Sequence, residues 1–374
     1  MRIVSYKAAL IAVLIFNFIP LHASLGAGRL QVVAFGDSLL DAGTYSLFAK
    51  ATFGGGRFTT NPGLNFAQDV ALHYGDRLTP AFLGGFGLPL FPAGGLDYAQ
   101  GGSRVTLQPG IGHAPPGTPD ADFAEATTVP VADQVNTYLR AHGRFTSDQL
   151  VLINGGADDV FFQLDAALAA GFTTAALTAA EVKIAQAATD LATIVATLIA
   201  NGATHIAVTN LPDIGQTPLG ATPPPGVPPT QWSDLLTQIS QGFNATLAVA
   251  LNQEILGGKV ILIDAFSFID RIVTNYTTYG FSVSNTGPNQ GMACNLKAQV
   301  ARATQLGLPD PSGFAESLFC SPKTYWTYDA DVTFMFADMV HPTTHLNALS
   351  AQFVEYKIAA RRWEFSEPTM AARQ

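Results

Sequence analysis

The chain has 374 residues, of which 48% are hydrophobic and only 13% are charged, so it can bury a large core while its surface relies on uncharged polar groups. Its 28 acidic residues outnumber its 19 basic residues and give a formal net charge of −9. This charge argues against nucleic acid as a partner.

Residues 1–23 are predicted to form a secretory signal peptide. A basic start is followed by an apolar run and by a small-residue cleavage pattern that ends at Ala23. A second candidate cleavage site ends at Ala27, so the mature domain is expected to span residues 28–374. A single anchoring helix is the alternative, but Pro20 interrupts a run that is shorter than the ~20 residues of a membrane span. No later stretch is expected to cross a membrane.

Two cysteines, Cys294 and Cys320, are the only ones in the chain. An even pair in an exported protein is most simply a disulfide, and both observations predict a periplasmic or extracellular protein. The loop-entropy relation gives such a bond a stabilisation of roughly 3 to 4 kcal/mol. With no ligand cluster near them, the cysteines do not predict a metal site.

The first predicted strand covers residues 30–35, where five of six residues are apolar. Gly36 allows a sharp turn at its end, and Asp37 and Ser38 follow. Ser38 is therefore expected at the carboxyl end of a strand, where open α/β sheets bind ligands. A structural alternative is that this pair only caps the helix predicted from Leu40 onwards.

Strands and helices then alternate along the chain. Further strands are predicted at residues 149–154, 205–209 and 260–264, and amphipathic helices at 64–73, 130–142, 179–200, 235–251 and 343–360. Residues 75–95 are expected to form a long loop. The proline-rich segment 222–229 is interpreted as a loop and not as a domain boundary, because the alternation continues beyond it. The pattern predicts a single α/β domain with a doubly wound, mostly parallel sheet and helices on both faces.

A second candidate site segment contains Asp338 and His341. Pro342 disfavours helical geometry at His341, so both side chains are expected on a loop before the last helix. A carboxylate three residues away can accept a hydrogen bond from the imidazole Nδ1–H and leave Nε2 free as a base. Asp338 could instead be a helix cap. His345 forms an i, i+4 pair with His341, but the glutamate of a His-Glu-x-x-His zinc site is missing, so no metal is expected.

These segments contain the parts of a serine hydrolase. A serine hydroxyl needs an adjacent base, and attack on an ester needs N–H donors for the oxyanion that forms. Ser38 is the candidate nucleophile, His341 the base and Asp338 the group that orients it, while Ser38 and Gly102 offer backbone N–H groups. Leu40 stands where a Gly-x-Ser-x-Gly elbow would have its second glycine.

Four blocks together resemble the GDSL esterases and lipases, also called SGNH hydrolases. They are Phe35-Gly36-Asp37-Ser38-Leu39-Leu40-Asp41, Tyr98-Ala99-Gln100-Gly101-Gly102, Asn154-Gly155-Gly156-Ala157-Asp158-Asp159 and Asp338-Met339-Val340-His341-Pro342-Thr343. The resemblance implies a flavodoxin-like three-layer α/β/α sandwich. It also implies a Ser38, Asp338 and His341 triad, an oxyanion hole that includes Gly102, and an ester or lipid substrate. Neither a cofactor nor a metal is expected.

Asp158 departs from the family pattern, which has an oxyanion-binding asparagine at this place. An ionised carboxylate only accepts hydrogen bonds and would repel the oxyanion, whereas a neutral carboxyl can still donate. The sequence thus predicts either an impaired esterase or an oxyanion hole that needs a protonated Asp158.

Two other functions stay open at this point, a lipid acyltransferase and a non-catalytic carbohydrate- or surface-binding module with a degraded site. The low charge and the phenylalanines Phe82, Phe86 and Phe91 favour an apolar acyl group. A monomer in transient contact with lipid surfaces is expected.

Overall fold

A computed structural model describes residues 30–113 and 126–363. The signal-peptide prediction concerns residues 1–23 and lies outside the described residues. Six strands are described: β1 Gln31–Phe35, β2 Phe82–Gly85, β3 Leu88–Pro92, β4 Gln149–Ile153, β5 Ile206–Thr209 and β6 Val260–Ile263.

Twelve α-helices lie in the described ranges: α1 Ser46–Thr52, α2 Phe66–His73, α3 Val131–His142, α4 Ala157–Ala169, α5 Thr174–Ala200, α6 Pro218–Ala221, α7 Pro229–Ala250, α8 Asn252–Leu256, α9 Ala265–Thr274, α10 Leu296–Gln305, α11 Ala330–Thr333 and α12 Thr344–Arg361. Short 3₁₀ turns cover Ile214–Gln216, Tyr276–Tyr279, Pro288–Gly291, Pro311–Phe314 and Ser317–Phe319.

The central sheet has the strand order β1-β4-β5-β6, and all three pairings are parallel. At the other side of β1, Asp97 forms a parallel bridge with Ala34, and the Tyr98 N–H donates to the Ala34 carbonyl at 2.8 Å. The segment at Asp97 therefore pairs with one edge of β1, and β4, which comes later in the chain, pairs with the other edge. This reversal at β1 is the place where doubly wound sheets open a crevice at the carboxyl ends of their strands.

Alternate residues of β1 separate the two helical layers. Val33 and Phe35 belong to the core formed with α3, α4, α5 and α7, whereas Val32 and Ala34 belong to the core formed with α2 and α12. Burying a side chain as large as Phe35 contributes about 1.5 to 3 kcal/mol. These two cores make a single-domain three-layer α/β/α sandwich and confirm the predicted fold class.

The helix predicted from Leu40 begins later, at Ser46. One oxygen of the Asp41 carboxylate accepts the N–H groups of Gly43 and Thr44, at 2.8 and 2.7 Å. These short-range bonds give the backbone an alternative to a helix. Ser38 consequently lies in a turn and does not cap a helix, so the structural alternative for Asp37-Ser38 is wrong.

Helix α5 is longer than predicted, because it begins at Thr174, where the Thr173 hydroxyl accepts the Ala176 N–H at 3.2 Å. Contrary to the expectation from the sequence, this 27-residue helix is long and apolar enough to cross a membrane by length and composition. Its inner side, which includes Ile184 and Leu191, is buried in the core, and α4 and α7 pack against it. We interpret α5 as a core helix.

Two loop predictions had different outcomes. Within residues 75–95, strands β2 and β3 form a short antiparallel hairpin, so the prediction of a loop throughout is wrong there. The proline-rich segment leads into α7, which has Pro229 as its first residue, and β6 follows in the same sheet. A proline at this helix position loses no intrahelical hydrogen bond, because the first N–H groups of a helix have no partner.

Candidate active site

The turn that carries Ser38 is held by two side chains from neighbouring elements. The Gln134 side chain of α3 accepts the Gly36 N–H and donates to the Gly36 carbonyl, each at 2.8 Å. Asn154, which directly follows β4, donates to the Asp37 carboxyl at 2.8 Å. A Cβ atom at Gly36 would lie 1.8 Å from Asn154 Oδ1, so only glycine fits at this position.

Ser38 and His341 are in direct contact. The Ser38 Oγ lies 2.8 Å from Nε2 of His341, and Nδ1 of the same ring lies 2.7 Å from Asp338 Oδ2. The two side chains of the last block are presented by a tight turn in which the Ala337 N–H donates to the His341 carbonyl at 2.7 Å. The helix that follows is capped by the Thr343 hydroxyl. This is the nucleophile, base and orienting carboxylate order of a serine triad.

The Asp338 carboxylate is buried but well supplied with donors. It accepts the N–H groups of Val340 at 3.0 Å, of His341 at 2.8 Å and of Ser317 at 2.6 Å. Burial raises the pKa of Asp338, but the nearby His341 charge and these hydrogen bonds outweigh burial and hold the pKa below its usual value. Asp338 is therefore ionised at neutral pH.

His341 is buried too, and burial lowers its pKa. The negative charge of Asp338, with smaller contributions from Glu316 and Asp37, reverses this effect, so the pKa of His341 lies above its ordinary value of 6.5. A base with a raised pKa binds the serine proton more strongly. The ring of Phe58 packs over the imidazole with 5.1 Å between centroids.

Gly102, which lines the same cavity as Ser38, has a left-handed backbone conformation that glycine adopts without strain. Its φ is +82°, and a Cβ atom there would lie 2.1 Å from the Ile111 carbonyl oxygen. The neighbouring Gly101 N–H donates to Asp41 at 3.0 Å, which ties this loop to the turn after Ser38. Among the described residues, neither the Ser38 N–H nor the Gly102 N–H has an acceptor. Two such donors beside a nucleophile can bind an oxyanion.

Asp158 and Asp159 lie in the first turn of α4 and have different environments. Asp159 accepts Arg104 Nε at 3.0 Å and the Val105 N–H at 2.8 Å, so it holds the chain shortly after Gly102. Asp158 is 5% exposed, and its Oδ2 has no hydrogen-bond partner among the described residues. Burial, reinforced by the carboxyls of Asp37, Asp159 and Glu316 and opposed by the cation Arg104, places the pKa of Asp158 well above its usual value.

One cavity of about 370 Å³ brings together all of the residues predicted for catalysis. Its lining includes Ser38, Gly102, Asp158, Asp338 and His341. Phe86 lies in this lining, whereas Phe82 and Phe91 lie in the hairpin, and Phe91 is exposed.

Glu316 and Gln134 were missed by sequence reasoning. Glu316 lines the cavity, but it falls in an aperiodic segment without a motif. Gln134, which holds the Ser38 turn, looks like any polar position of an amphipathic helix.

His345 does not belong to the site. Its Nδ1 lies 2.9 Å from the Val332 carbonyl oxygen, and its ring packs on Phe281. In the described ranges no group of three metal-ligating side chains is found.

The disulfide joins two segments that support Asp338. Cys294 and Cys320 are bonded, with 5.8 Å between their Cα atoms. The Cys294 N–H donates to the Ala337 carbonyl at 2.9 Å, and Cys320 closes the 3₁₀ turn whose Ser317 N–H donates to Asp338. The bond therefore connects both sides of the loop that carries the carboxylate.

The model of the GDSL-like lipase/acylhydrolase family matches residues 32–354. An uncharacterized protein in the trpE-trpG intergenic region of Pseudomonas putida is 27% identical over 355 residues, which cover 90% of this chain and 49% of that protein. A GDSL esterase/lipase of Arabidopsis thaliana is 25% identical over 342 residues, which cover 85% of this chain and 84% of that protein. The chain thus spans about half the length of the Pseudomonas protein.

Proposed function

The chain belongs to the GDSL-like lipase/acylhydrolase family, and we propose that it is a serine hydrolase that cleaves carboxylic esters through an acyl-enzyme on Ser38. The observation that carries this proposal is the continuous contact from the Ser38 Oγ through His341 to the Asp338 carboxylate. The disulfide between Cys294 and Cys320 supports the further proposal that the protein works outside the cytoplasm.

In the acylation step the Ser38 oxygen attacks the ester carbonyl carbon, and its proton passes to Nε2 of His341. The imidazolium that forms is stabilised by the ionised Asp338, which the backbone N–H groups around it keep in place. His341 then donates the proton to the alcohol oxygen, and the alcohol leaves. A water molecule repeats the sequence on the acyl-enzyme, which releases the carboxylic acid and returns the proton to Ser38.

The oxyanion of the tetrahedral intermediate is assigned to the N–H groups of Ser38 and Gly102 and to Asp158. Of the two hypotheses for Asp158, its surroundings support the protonated form. Burial, and to a smaller extent three nearby carboxyls, disfavour its ionisation, and Oδ2 has no hydrogen-bond partner among the described residues. A neutral carboxyl can donate its O–H to the oxyanion, as the asparagine of the family pattern donates its amide.

A fluorophosphonate probe tests the proposal directly. We expect the protein to be labelled on Ser38 and to hydrolyse p-nitrophenyl acetate, and we expect Ser38→Ala to lose both labelling and hydrolysis. Ser282→Ala is a suitable control, because Ser282 is an exposed serine that does not line the cavity. A folded protein that is neither labelled nor active would favour the non-catalytic binding module. Preferential transfer of the acyl group to added alcohols over water would favour the acyltransferase.

A further inference from the structure

A second cavity, which we call the apolar cavity, lies beside the catalytic one and has a volume of about 70 Å³. It is enclosed by the carboxyl end of β6, which contributes Ile263, by α9 and by α12. Phe268, Ile269 and Phe353 are among its lining residues. Most of the other lining side chains are hydrocarbon too, so the cavity suits an apolar ligand.

The apolar cavity is lined in part by residues that are next to the catalytic residues in the sequence. Val340 lines both cavities, and Leu39, which follows Ser38, lines the apolar one. Both side chains are half-buried. Val340 therefore forms part of the boundary between the two cavities, and Leu39 places the apolar cavity one residue from Ser38 in the chain.

The two cavities differ in a way that separates the two halves of an ester. The catalytic cavity is larger and has Asp158, Asp310 and Glu316 in its lining. An alcohol must leave and a water molecule must enter during each turnover, and a wide polar cavity allows both. The acyl group stays covalently attached to Ser38 meanwhile and gains from burial in hydrocarbon.

We propose, on the basis of the proposed esterase function, that the apolar cavity binds the acyl chain and makes the protein selective for medium-length acyl esters. On the scale that gives this cavity about 70 Å³, one water molecule needs about 10 to 15 Å³. A methylene group is close in size to a water molecule, so the cavity accommodates roughly five to seven carbons. With the carbonyl carbon and the carbons that pass Leu39 and Val340, the best substrate has about eight acyl carbons. Each added methylene raises kcat/KM about fourfold until the cavity is full.

Two variants change the cavity volume in opposite directions. Ser350 lines the cavity from α12, and its hydroxyl donates only to the Leu346 carbonyl of its own helix at 2.8 Å, so Ser350→Phe fills the cavity without breaking a tertiary hydrogen bond. Ile269→Ala enlarges the cavity. Ala348→Phe is the matched control, because Ala348 is half-buried on the same helix and does not line the cavity.

The experiment measures kcat/KM for p-nitrophenyl esters from acetate to dodecanoate, and for acetate esters of alcohols of increasing length. We expect Ser350→Phe to lower the ratio of octanoate to acetate at least tenfold, Ile269→Ala to move the optimum to longer acyl chains, and Ala348→Phe to keep the parent profile. The alcohol series should respond to neither cavity variant.

Unchanged acyl profiles in folded Ser350→Phe and Ile269→Ala, or a response confined to the alcohol series, would overturn the acyl assignment. Fluorophosphonate labelling of Ser38 in each variant separates this result from failure of the esterase function itself. If the parent is not labelled, the hydrolase proposal fails first.

Discussion

The Ser38 Oγ and the His341 Nε2 lie 2.8 Å apart, although 303 positions separate the two residues in the chain. Ser38 is placed by the end of β1 and His341 by the turn before α12, so their contact depends on the packing of both on one edge of the sheet.

Asp338→Asn is expected to lower kcat about 10³- to 10⁴-fold, because an amide cannot hold His341 in the tautomer that leaves Nε2 unprotonated. Asp338 also raises the pKa of His341, so removing its charge lowers that pKa. The acid limb of the kcat/KM profile should therefore move to lower pH. Asp331→Asn, in the nearby helix α11, serves as the control. Unchanged kcat in a folded Asp338→Asn variant would exclude Asp338 from the triad.

Asp158→Asn is expected to abolish an alkaline limb in the activity profile. His341 must be neutral to act as a base, so activity rises with pH through its pKa, whereas Asp158 must be protonated, so activity falls as pH rises through the raised pKa of that carboxyl. The amide of asparagine donates at every pH. Well above the pKa of Asp158, the variant should exceed the parent by about 10²- to 10³-fold, the effect of one oxyanion donor.

The control for this profile is Asp165→Asn, an exposed position on the same helix. If the parent shows an alkaline limb and Asp158→Asn leaves that limb unchanged, Asp158 does not belong to the oxyanion hole. Stability gives a second readout. Since the folded-state pKa of Asp158 is raised, its ionisation destabilises the fold as pH rises above about 4. Asp158→Asn should raise Tm at pH 8.5 and leave it unchanged at pH 3.

Gly102→Ala is expected to reduce kcat at least about tenfold, because both the positive φ and the clash with the Ile111 carbonyl force the oxyanion N–H to move. Gly94→Ala is a closely matched control. Gly94 has a φ of +81°, but nothing lies within 4 Å of its Cβ position. Equal activity losses in the two variants, measured with p-nitrophenyl butyrate, would assign the effect to backbone strain alone.

Replacing both cysteines by serine should lower the free energy of unfolding, measured by urea titration, by roughly 3 to 4 kcal/mol. This value follows from the entropy of closing a loop between two residues that are 26 positions apart. Because the bond supports the Asp338 loop, kcat should fall as well. A reducing agent should reproduce both effects in the parent and have none in the double variant. A loss below about 1 kcal/mol would show that noncovalent contacts hold the loop alone.

Local sequence signals determined much of the fold. The apolar run of β1, the glycine after it and the alternation that follows predicted a doubly wound sheet, because burial periodicity is written in neighbouring residues. The same holds for Asp338 and His341, whose spacing of three suffices for the contact that the structure shows. The helix start at Ser46 was missed, because the Asp41 side chain bonds to the backbone where a helix was expected.

The tertiary structure alone decided what surrounds each of these groups. Burial is the main support for the protonation of Asp158, and the carboxyls of Asp37 and Glu316 add to it because the fold brings distant segments close to Asp158. The sequence determined that a serine, a histidine and two carboxyls were available at strand ends and turns. Which of these groups are in contact, and which carboxyl is charged, depends on burial and on contacts between residues up to 303 positions apart. No local sequence pattern encodes contacts between residues so far apart in the chain.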